Sequence, residues 1–540
     1  MPDSWPLLSL LLLSPGLGIL VLLFVPSRHQ RLLRIVGVSA TLLPLLLAGW
    51  LYALFESGSG GLTELAVWAE LPLNRETINP QFAASYVLQL HYHLAVDGLS
   101  LPLVLLTVLV STMAALAAVH VVKRRKAFYI WFLVLELAML GVFLARDLVL
   151  FFLFFELTLI AAFFLIGIWG YQRREKTAVQ FLIYNGIGSA LMLLAFLILI
   201  STAGIRVEPG DLGAALIYSG SYDQLLANLA DPQGFANQLP QEMGGYNPFY
   251  LSDGLAGAVF VLLLVGFGIK LPIFPLHTWM VRVHAEAHPS VVMLHAGVLL
   301  KMGAYGLLRF GIGLLPAQAE AWGPALAVLG AISMLYGAVL ALVQRDLKRV
   351  LAYSSVSHMG LVLLGFATLR DIGLQGAVFL LISHGLIAAL LFLLVGSLYE
   401  RTHTTELDRL GGLARELPFM CGILLVAGLA LLGLPGLSGF VGEFLVLLGL
   451  FETMPWIAAV AGLGLVITAA YVLRAVLAVA YGEPREPYGA LRDARLVEAA
   501  PMVVLLSFIV LLGIYPSLLT GSLQDGAVQL LRQLAAVGRG

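Results

Sequence analysis

Long apolar runs recur along this chain and constrain its fold more than any other feature. Most are about 20 residues long, the length that a helix needs to cross the hydrocarbon core of a bilayer. Hydrophobic residues make up 60% of the 540 residues and charged residues 11%, which excludes an ordinary water-soluble domain. The sequence therefore predicts an all-α polytopic membrane protein with about 14 transmembrane helices. The predicted segments lie near residues 6–25, 32–55, 99–120, 127–145, 148–170, 177–202, 254–280, 290–309, 324–343, 350–368, 373–398, 417–452 (long and broken), 456–481 and 499–520.

The loops between these runs differ in charge. Basic residues cluster in short loops, which the positive-inside rule places in the cytoplasm. The two long loops, 56–98 and 203–252, carry acidic residues and few basic ones, so we expect both on the opposite, outer side. The basic loop residues are Arg28, Arg31, Arg34, Lys123 to Lys126, Arg173, Arg174, Lys176, Arg345, Lys348 and Arg349.

Ionisable residues lie inside several apolar runs. Lys270 closes AVFVLLLVGFGIK, Lys301 lies within HAGVLLKMGAYGLL, and Glu156 and Glu443 lie within LVLFFLFFELTLIAAFF and GFVGEFLVLLGLF. A charge in hydrocarbon is costly, and such groups usually pair, face an internal wet path and mark an ion or proton route. Glu136, in WFLVLELAML, extends that route or pairs with a neighbouring helix.

Two of the predicted helices contain helix-breaking residues beside an ionisable group. LPIFP follows Lys270 directly, and LLGLPGLSGF precedes Glu443. Proline removes a backbone donor and clashes with the preceding turn, so we expect both helices to be interrupted at membrane depth. A single such interruption is usually a structural kink, but two interruptions beside charges indicate a transport site and inverted repeats.

Two intramembrane histidines supply further titratable groups. His358 lies in AYSSVSHMGLVLL and His384 in VFLLISHGLIAALLF. Either one could be a satisfied structural histidine, and haem ligation by the pair is a further alternative. Together with the buried lysines and glutamates they predict a polar axis through the bilayer centre. On this hypothesis Glu156 forms a controllable ion pair with Lys270, Lys301 is a central proton carrier and Glu443 is a terminal station.

Other function classes find no support in the sequence. No dinucleotide-binding or P-loop motif occurs, and the histidines, His284, His288 and His295 among them, show no H-E-x-x-H spacing. The single cysteine, Cys421, excludes disulfide frameworks and cysteine-ligated iron–sulfur clusters. The net charge of −1 gives no indication of nucleic-acid binding. We therefore expect no cofactor and no metal on this chain.

Five separated motifs resemble the antiporter-like, proton-pumping subunits of respiratory complex I, NADH-quinone oxidoreductase. The motifs are PIFPLHTW at 272–279, AGVLLKMGAYGLLRF at 296–310, QRDLKRVLAYSSVSHMG at 344–360, ISHG at 382–385 and GLPGLSGFVGEF at 433–444. Within that family the chain is most similar to the M-type (chain 4) subunits. M-type chains have a glutamate in the broken twelfth helix, where L- and N-type chains have a lysine. In this chain Glu443 is that glutamate.

This resemblance implies a role for each buried charge. Glu156 and Lys270 are the paired charges of helices five and seven, Lys301 the central lysine, His358 and His384 the linkers, and Glu443 the terminal acid. The resemblance also implies two inverted five-helix repeats. The expected units are 1–126 (helices 1–3), 127–310 (helices 4–8), 311–482 (helices 9–13) and 483–540 (helix 14 and tail).

The resemblance implies partners as well. NADH, FMN, iron–sulfur clusters and quinone are expected on other subunits of a complex in the bacterial cell membrane, with L-type and N-type subunits as neighbours. The segment MVRVHAEAHPSVVMLHAG after HTW departs from the usual LPDAH pattern, and the fifth helix lacks a common proline. A related cation/proton antiporter, membrane-bound hydrogenase or inorganic-carbon uptake complex is therefore the alternative assignment.

Overall fold

The computed structural model describes residues 6–57, 62–73, 85–210, 213–240, 245, 247–485, 488 and 491–537. The parts of the two long loops between these ranges, and the end of the predicted tail, lie outside the described residues. The first half of the chain contains α1 Leu7–Phe24, α2 Gln30–Glu56, β1 Thr63–Pro72, β2 Ser85–Ala95, α3 Leu101–Ala117, α4 Arg125–Leu144, α5 Leu148–Trp169, α6 Arg174–Thr202, β3 Ile205–Gly210, β4 Gly213–Ser219, α7 Tyr222–Ala230, α8 Asp253–Lys270 and α9 Thr278–Glu286.

The regular elements in the described part of the second half are helices. Its elements are α10 Pro289–Leu294, α11 Leu300–Gly306, α12 Pro316–Val343, α13 Leu347–Ala367, α14 Asp371–Thr402, α15 Pro418–Leu431, α16 Ser438–Thr453, α17 Pro455–Ala480, α18 Leu496–Ile514 and α19 Ser517–Val537. Helices α10 and α11 belong to one continuous span, Pro289–Ile312.

Thirteen helices among the described residues are long and apolar enough to cross a membrane. The shorter helices α15 and α16 follow one another across a break at 432–437 and supply the predicted broken span. The other predicted break separates α8 from α9 at 271–277. The predicted helical membrane fold with about 14 spans is therefore confirmed.

The two long loops meet in a four-stranded sheet of order β1-β2-β4-β3, which the sequence did not predict. Strand β2 from the first loop pairs in parallel with β4 from the second, while β1 and β3 pair antiparallel to their neighbours. This pairing places the two loops on the same side of the protein, as their acidic composition indicated. The tail after the last span also forms structure, since Ser517–Val537 is a helix.

An aspartate begins the second helix of each predicted repeat. The side chain of Asp147 accepts hydrogen bonds from the backbone N–H groups of Val149 and Leu150 at the start of α5. Asp346 accepts one from Arg349 at the start of α13. Such caps satisfy N–H groups that have no partner within the helix. By the predicted topology, the two caps lie on opposite sides of the membrane.

Candidate functional site

Lys301 lies in one of the most enclosed helices of the protein. The span Pro289–Ile312 is buried along its length, and its helix widens into π-helical turns at His295–Leu299 and Leu307–Ile312, on either side of Lys301. Such turns displace a carbonyl from the regular ladder and occur often at functional sites. Here the Nζ of Lys301 donates to the carbonyl oxygen of Ala296, within the first π-turn.

The second partner of Lys301 is His384 of α14. The Nζ of Lys301 lies 3.0 Å from the Nδ1 of His384, and both side chains are buried. An ammonium group can only donate, so Nδ1 is the acceptor and the proton of the neutral ring resides on Nε2. The predicted link between Lys301 and His384 is thus a direct hydrogen bond in the structure.

His384 in turn faces His358 of α13. Their ring centroids lie 5.2 Å apart at an interplanar angle of 43°. Both rings are buried and already bound to protein groups, so no porphyrin fits between them. One ring can pass a proton to the other after a small rotation or through a water molecule.

His358 lies against Glu443. Its Nδ1 is 2.8 Å from the carbonyl oxygen of Ser354, while its Nε2 is 3.2 Å from that of Leu431 and 3.4 Å from Oε1 of Glu443. Because acceptors face both ring nitrogens, the geometry is that of a doubly protonated imidazole. His358 and Glu443 therefore form a buried ion pair that closes the row of four titratable side chains.

The break between α15 and α16 places Glu443 in this position. Gly433 and Gly436 adopt φ angles of 77° and 92°, in the left-handed region that glycine enters without strain. A Cβ atom at Gly433 would overlap the Oε2 atom of Glu443. Next to the break, Ser383 donates a 2.8 Å hydrogen bond to Ser438 and so joins the start of α16 to the helix of His384.

Lys270 and Glu156 lie near one another without forming an ion pair among the described residues. Lys270 is the last residue of α8, and its Nζ lies 5.0 Å from the ring centroid of Phe155 and 5.6 Å from that of Phe181. Cation–π contacts therefore hold the ammonium in place of a carboxylate. Glu156 is half-buried; its charge acts on Lys270, yet its Oε1 has no hydrogen-bond partner. The predicted direct pairing is not formed in this conformation.

Glu136 lies apart from the row that begins at Lys301. It is buried in α4, and neither of its carboxylate oxygens has a partner within the part of the chain that the structure describes. Lys270 and Glu443 lie on opposite sides of the breaks in their helices. Lys270 ends the first half of its broken helix, whereas Glu443 lies in the second half of the other.

Two further histidines lie between Lys270 and Lys301. The Nε2 of His284 is 3.0 Å from the Nδ1 of His295, and both rings are buried. The ring of Phe181, which contacts Lys270, also lies 5.9 Å from that of His295.

Sequence reasoning set these histidines aside because their spacing matches no metal motif. His358 and His384 were identified because each lies within an apolar run. The segment VVMLHAGVLL is equally apolar around His295, so the same pattern could have identified that residue.

A multi-span helical protein with two broken helices and a buried row of titratable side chains belongs to the class of ion-translocating membrane proteins. Residues 145–468 match the family described as NADH:quinone oxidoreductase/Mrp antiporter, TM. The match covers more than half of the chain, and the chain belongs to this family.

Named relatives place the chain more narrowly. It is 39% identical to NAD(P)H-quinone oxidoreductase chain 4 1 of Synechococcus sp. (strain JA-3-3Ab), over 98% of this chain and 94% of the relative. It is 38% identical to NADH-quinone oxidoreductase subunit M of Rhodobacter capsulatus, over 84% of each chain.

A solved structure agrees with these relatives. A chain of respiratory complex I from Thermus thermophilus aligns with a TM-score of 0.79 at 31% identity, over 98% of this chain and 99% of that one. The predicted resemblance to the chain 4/subunit M branch is thus confirmed, and so is the multi-pass location in the bacterial cell membrane.

Proposed function

We propose that this chain, as the proton-translocating membrane subunit of an NADH-quinone oxidoreductase, moves protons along Lys301, His384, His358 and Glu443. One observation carries the proposal. The ring centroids of the two histidines lie 5.2 Å apart, and the pair is joined at one end to a lysine by a 3.0 Å contact and at the other to a glutamate by a 3.4 Å contact. A row of groups that can each gain and lose a proton, enclosed by apolar helices, is what a proton route needs.

The contacts suggest the order of transfer. His358 gives the proton on Nε2 to Glu443, which becomes neutral and can release it toward solvent. Lys301 next gives a proton to Nδ1 of His384 across their 3.0 Å contact, so the His384 ring becomes doubly protonated. His384 can then give the proton on its Nε2 to the deprotonated Nε2 of His358. Each transfer moves one proton, and His384 regains its starting tautomer when its remaining proton moves from Nδ1 to Nε2 by rotation of the ring or through water.

Lys270 and Glu156 act as the switch in this proposal. When Glu156 approaches Lys270, the two charges cancel. When it withdraws, the positive charge of Lys270 acts on its neighbours and disfavours a proton on Lys301. The His284–His295 pair lies between the two lysines and transmits either the field or the proton itself. Glu136, buried without a partner, is a candidate extension of the route.

We infer that residues 127–310 and 311–482 are the two inverted repeats, flanked by 1–126 and 483–540. The matching positions of Asp147 and Asp346 support this division, because each caps the second helix of its repeat. The breaks at 271–277 and 432–437 support it as well, because each interrupts the fourth span.

The energy for pumping would come from quinone reduction elsewhere in the complex. In this proposal NADH, FMN, iron–sulfur clusters and quinone bind to partner subunits, this chain carries no redox centre, and L-type and N-type subunits are its neighbours. The family description also includes Mrp antiporters, so a cation/proton antiporter or a related complex is the second candidate. The names of the relatives that cover most of the chain favour the quinone oxidoreductase.

A pumping assay tests the proposal. Inverted membrane vesicles that contain the assembled complex would be energised with NADH and quinone, and acidification of their interior followed with a fluorescent dye. We expect Lys301→Ala to lower proton pumping by about tenfold or more, since each 1.4 kcal/mol added to a barrier is a factor of ten. Lys176→Ala, at an exposed position in the first turn of α6, is the matched control. Normal pumping by an assembled Lys301→Ala complex would refute the proposal.

A further inference from the structure

The helix that carries Lys301 ends in a cluster of buried charges on the side of the sheet. Arg309, two turns after Lys301, is only 4% exposed and forms an ion pair with Asp97. Arg146 donates from Nη1 to the same Oδ2 atom of Asp97 over 2.9 Å. Asp97 follows β2, and Arg146 precedes α5. The cluster thus closes the outer end of the first repeat.

Tyr305 provides a polar group on the same helix between Lys301 and this cluster. Tyr305 lies one turn after Lys301, and its hydroxyl donates toward the carbonyl oxygen of Phe143 over 3.4 Å. The Nε of Arg309 donates to the same hydroxyl over 3.3 Å. Water that passed Arg309 from outside would therefore find the Tyr305 hydroxyl as a hydrogen-bonding group on the way to Lys301.

The buried part of the cluster carries a net positive charge. Two guanidinium groups share the carboxylate of Asp97, while Asp223, the other carboxylate bound to Arg146, is 54% exposed and screened by solvent. A guanidinium does not release its proton, so neither arginine can relay one. Burial opposes ionisation of Asp97, but Arg309 and then Arg146 outweigh burial and hold the pKa of Asp97 well below its usual range. Asp97 therefore does not take up protons at physiological pH.

We propose that Arg309, Arg146 and Asp97 form a cationic plug that keeps protons on the outer side from reaching Lys301. Arginines placed in a narrow polar passage exclude protons and cations by electrostatic repulsion. The plug makes the first repeat accessible from one side only, and so gives the direction of pumping a structural basis. The inference rests on the proposed role of Lys301 as a proton carrier.

The test measures passive proton leak without turnover. Proteoliposomes that contain the whole complex would receive a pH jump in the absence of NADH, and collapse of the gradient would be followed with an internal pH dye. Arg309 lies about 12 Å along the helix from Lys301. At an effective dielectric constant of about 20, loss of its charge lowers the barrier by about 1.4 kcal/mol, a factor of about ten in leak rate.

Matched variants separate charge from structure. We expect Arg309→Gln to leak about tenfold faster than wild type, while Arg309→Lys, which disturbs the same geometry but keeps the charge, stays tight. Asp97→Asn breaks both ion pairs but increases the positive charge of the cluster. We therefore expect its proton leak rate to stay at the wild-type level. If the cluster only held the sheet to the helices, Asp97→Asn would leak as much as Arg309→Gln. Arg206→Gln, at a half-exposed ion pair on β3, is the control.

Lys301→Ala distinguishes failure of the plug from failure of the proposed function. The double variant Arg309→Gln/Lys301→Ala should lose the extra leak if the leak passes through Lys301. An assembled Arg309→Gln complex with wild-type leak would overturn the plug even if Lys301→Ala abolishes pumping. A leak that persists in the double variant would overturn it too. If Arg309→Gln does not assemble, Arg146→Gln removes an equivalent charge and is measured in the same way.

Discussion

The imidazole of His358 and the carboxylate of Glu443 form an ion pair, 3.4 Å from Nε2 to Oε1, between helices α13 and α16. Both residues are almost fully buried, and the two ring nitrogens of His358 are further held by the carbonyl oxygens of Ser354 and Leu431. A buried ion pair is costly to form and more costly to leave half complete. Each partner therefore controls the charge of the other, which is the property that a proton-loading station requires.

Glu443→Gln should abolish most of the pumping. Without the carboxylate, a cationic His358 would be buried unpaired at a cost of roughly 3–5 kcal/mol, so the ring would stay neutral and donate no further. We expect quinone-coupled pumping to fall by about tenfold or more in vesicles whose complex content is normal on native gels. Glu443→Asp, which keeps the charge on a shorter side chain, should retain part of the proton pumping. Equal pumping by Glu443→Gln and wild type would contradict the role of the pair.

Gly433→Ala should disturb Glu443 through the backbone. Alanine would have to enter the left-handed region at a cost of about 1–2 kcal/mol, and its Cβ would displace the Glu443 carboxylate. We expect reduced pumping with the complex still assembled. Gly422→Ala in α15 is a matched control, because a Cβ there meets nothing within 4 Å. If the two variants pumped equally well, the close approach of Gly433 to Glu443 would not matter for proton pumping.

His295→Gln tests the link between the lysines. Glutamine can keep a hydrogen bond to His284 but cannot titrate, so packing should survive while transfer between Lys270 and Lys301 is impaired. We expect pumping to fall several-fold and NADH oxidation to fall less, and we would measure both on the same vesicles. The exposed loop residue His29, changed to Gln, is the control. An unchanged ratio of protons pumped to NADH oxidised would show that the histidine pair is structural.

Glu156→Gln and Lys270→Ala test the switch. Loss of either charge removes the pairing that would gate the route, so each variant should sharply reduce quinone-coupled pumping, by about tenfold, and preserve assembly. Glu175→Gln, an exposed residue at the start of α6, is the control for Glu156. Vesicles with either variant that acidified at the wild-type rate would defeat the proposed pairing. In that case the contacts of Lys270 with Phe155 and Phe181 would be its resting place and not one position of a switch.

The two broken helices were predictable from the sequence, but the contacts around their breaks were not. Pro272 and Pro275, and Pro435 with Gly436, predicted both interruptions, because a missing backbone donor and a ring clash are local effects that the sequence states directly. The structure adds that Glu443 lies beyond its break and Lys270 before its own, and that Gly433 packs against the Glu443 carboxylate. The second relationship depends on where two halves of one helix come together, which no spacing reveals.

The four-stranded sheet and the charge cluster of Arg309, Arg146 and Asp97 are features that the sequence patterns did not predict. Acidic composition indicated that the two long loops share a side, but not that β2 and β4 pair across more than a hundred residues of sequence. Arg309 and Asp97 are 212 residues apart in sequence, and neither of them was singled out from the sequence. Long-range pairing of this kind is decided by which surfaces meet after the spans have packed.

The sequence alone determined that this chain crosses the membrane about fourteen times, carries buried lysines, histidines and glutamates, and breaks two of its helices beside them. Each of these follows from local physics: hydrocarbon thickness, the cost of buried charge and the geometry of proline and glycine. Only the tertiary structure decided which charges meet. It joined Lys301 to Glu443 through His384 and His358, kept Glu156 from Lys270, and placed Arg309 on Asp97, because contacts between helices depend on the packing of all of them together.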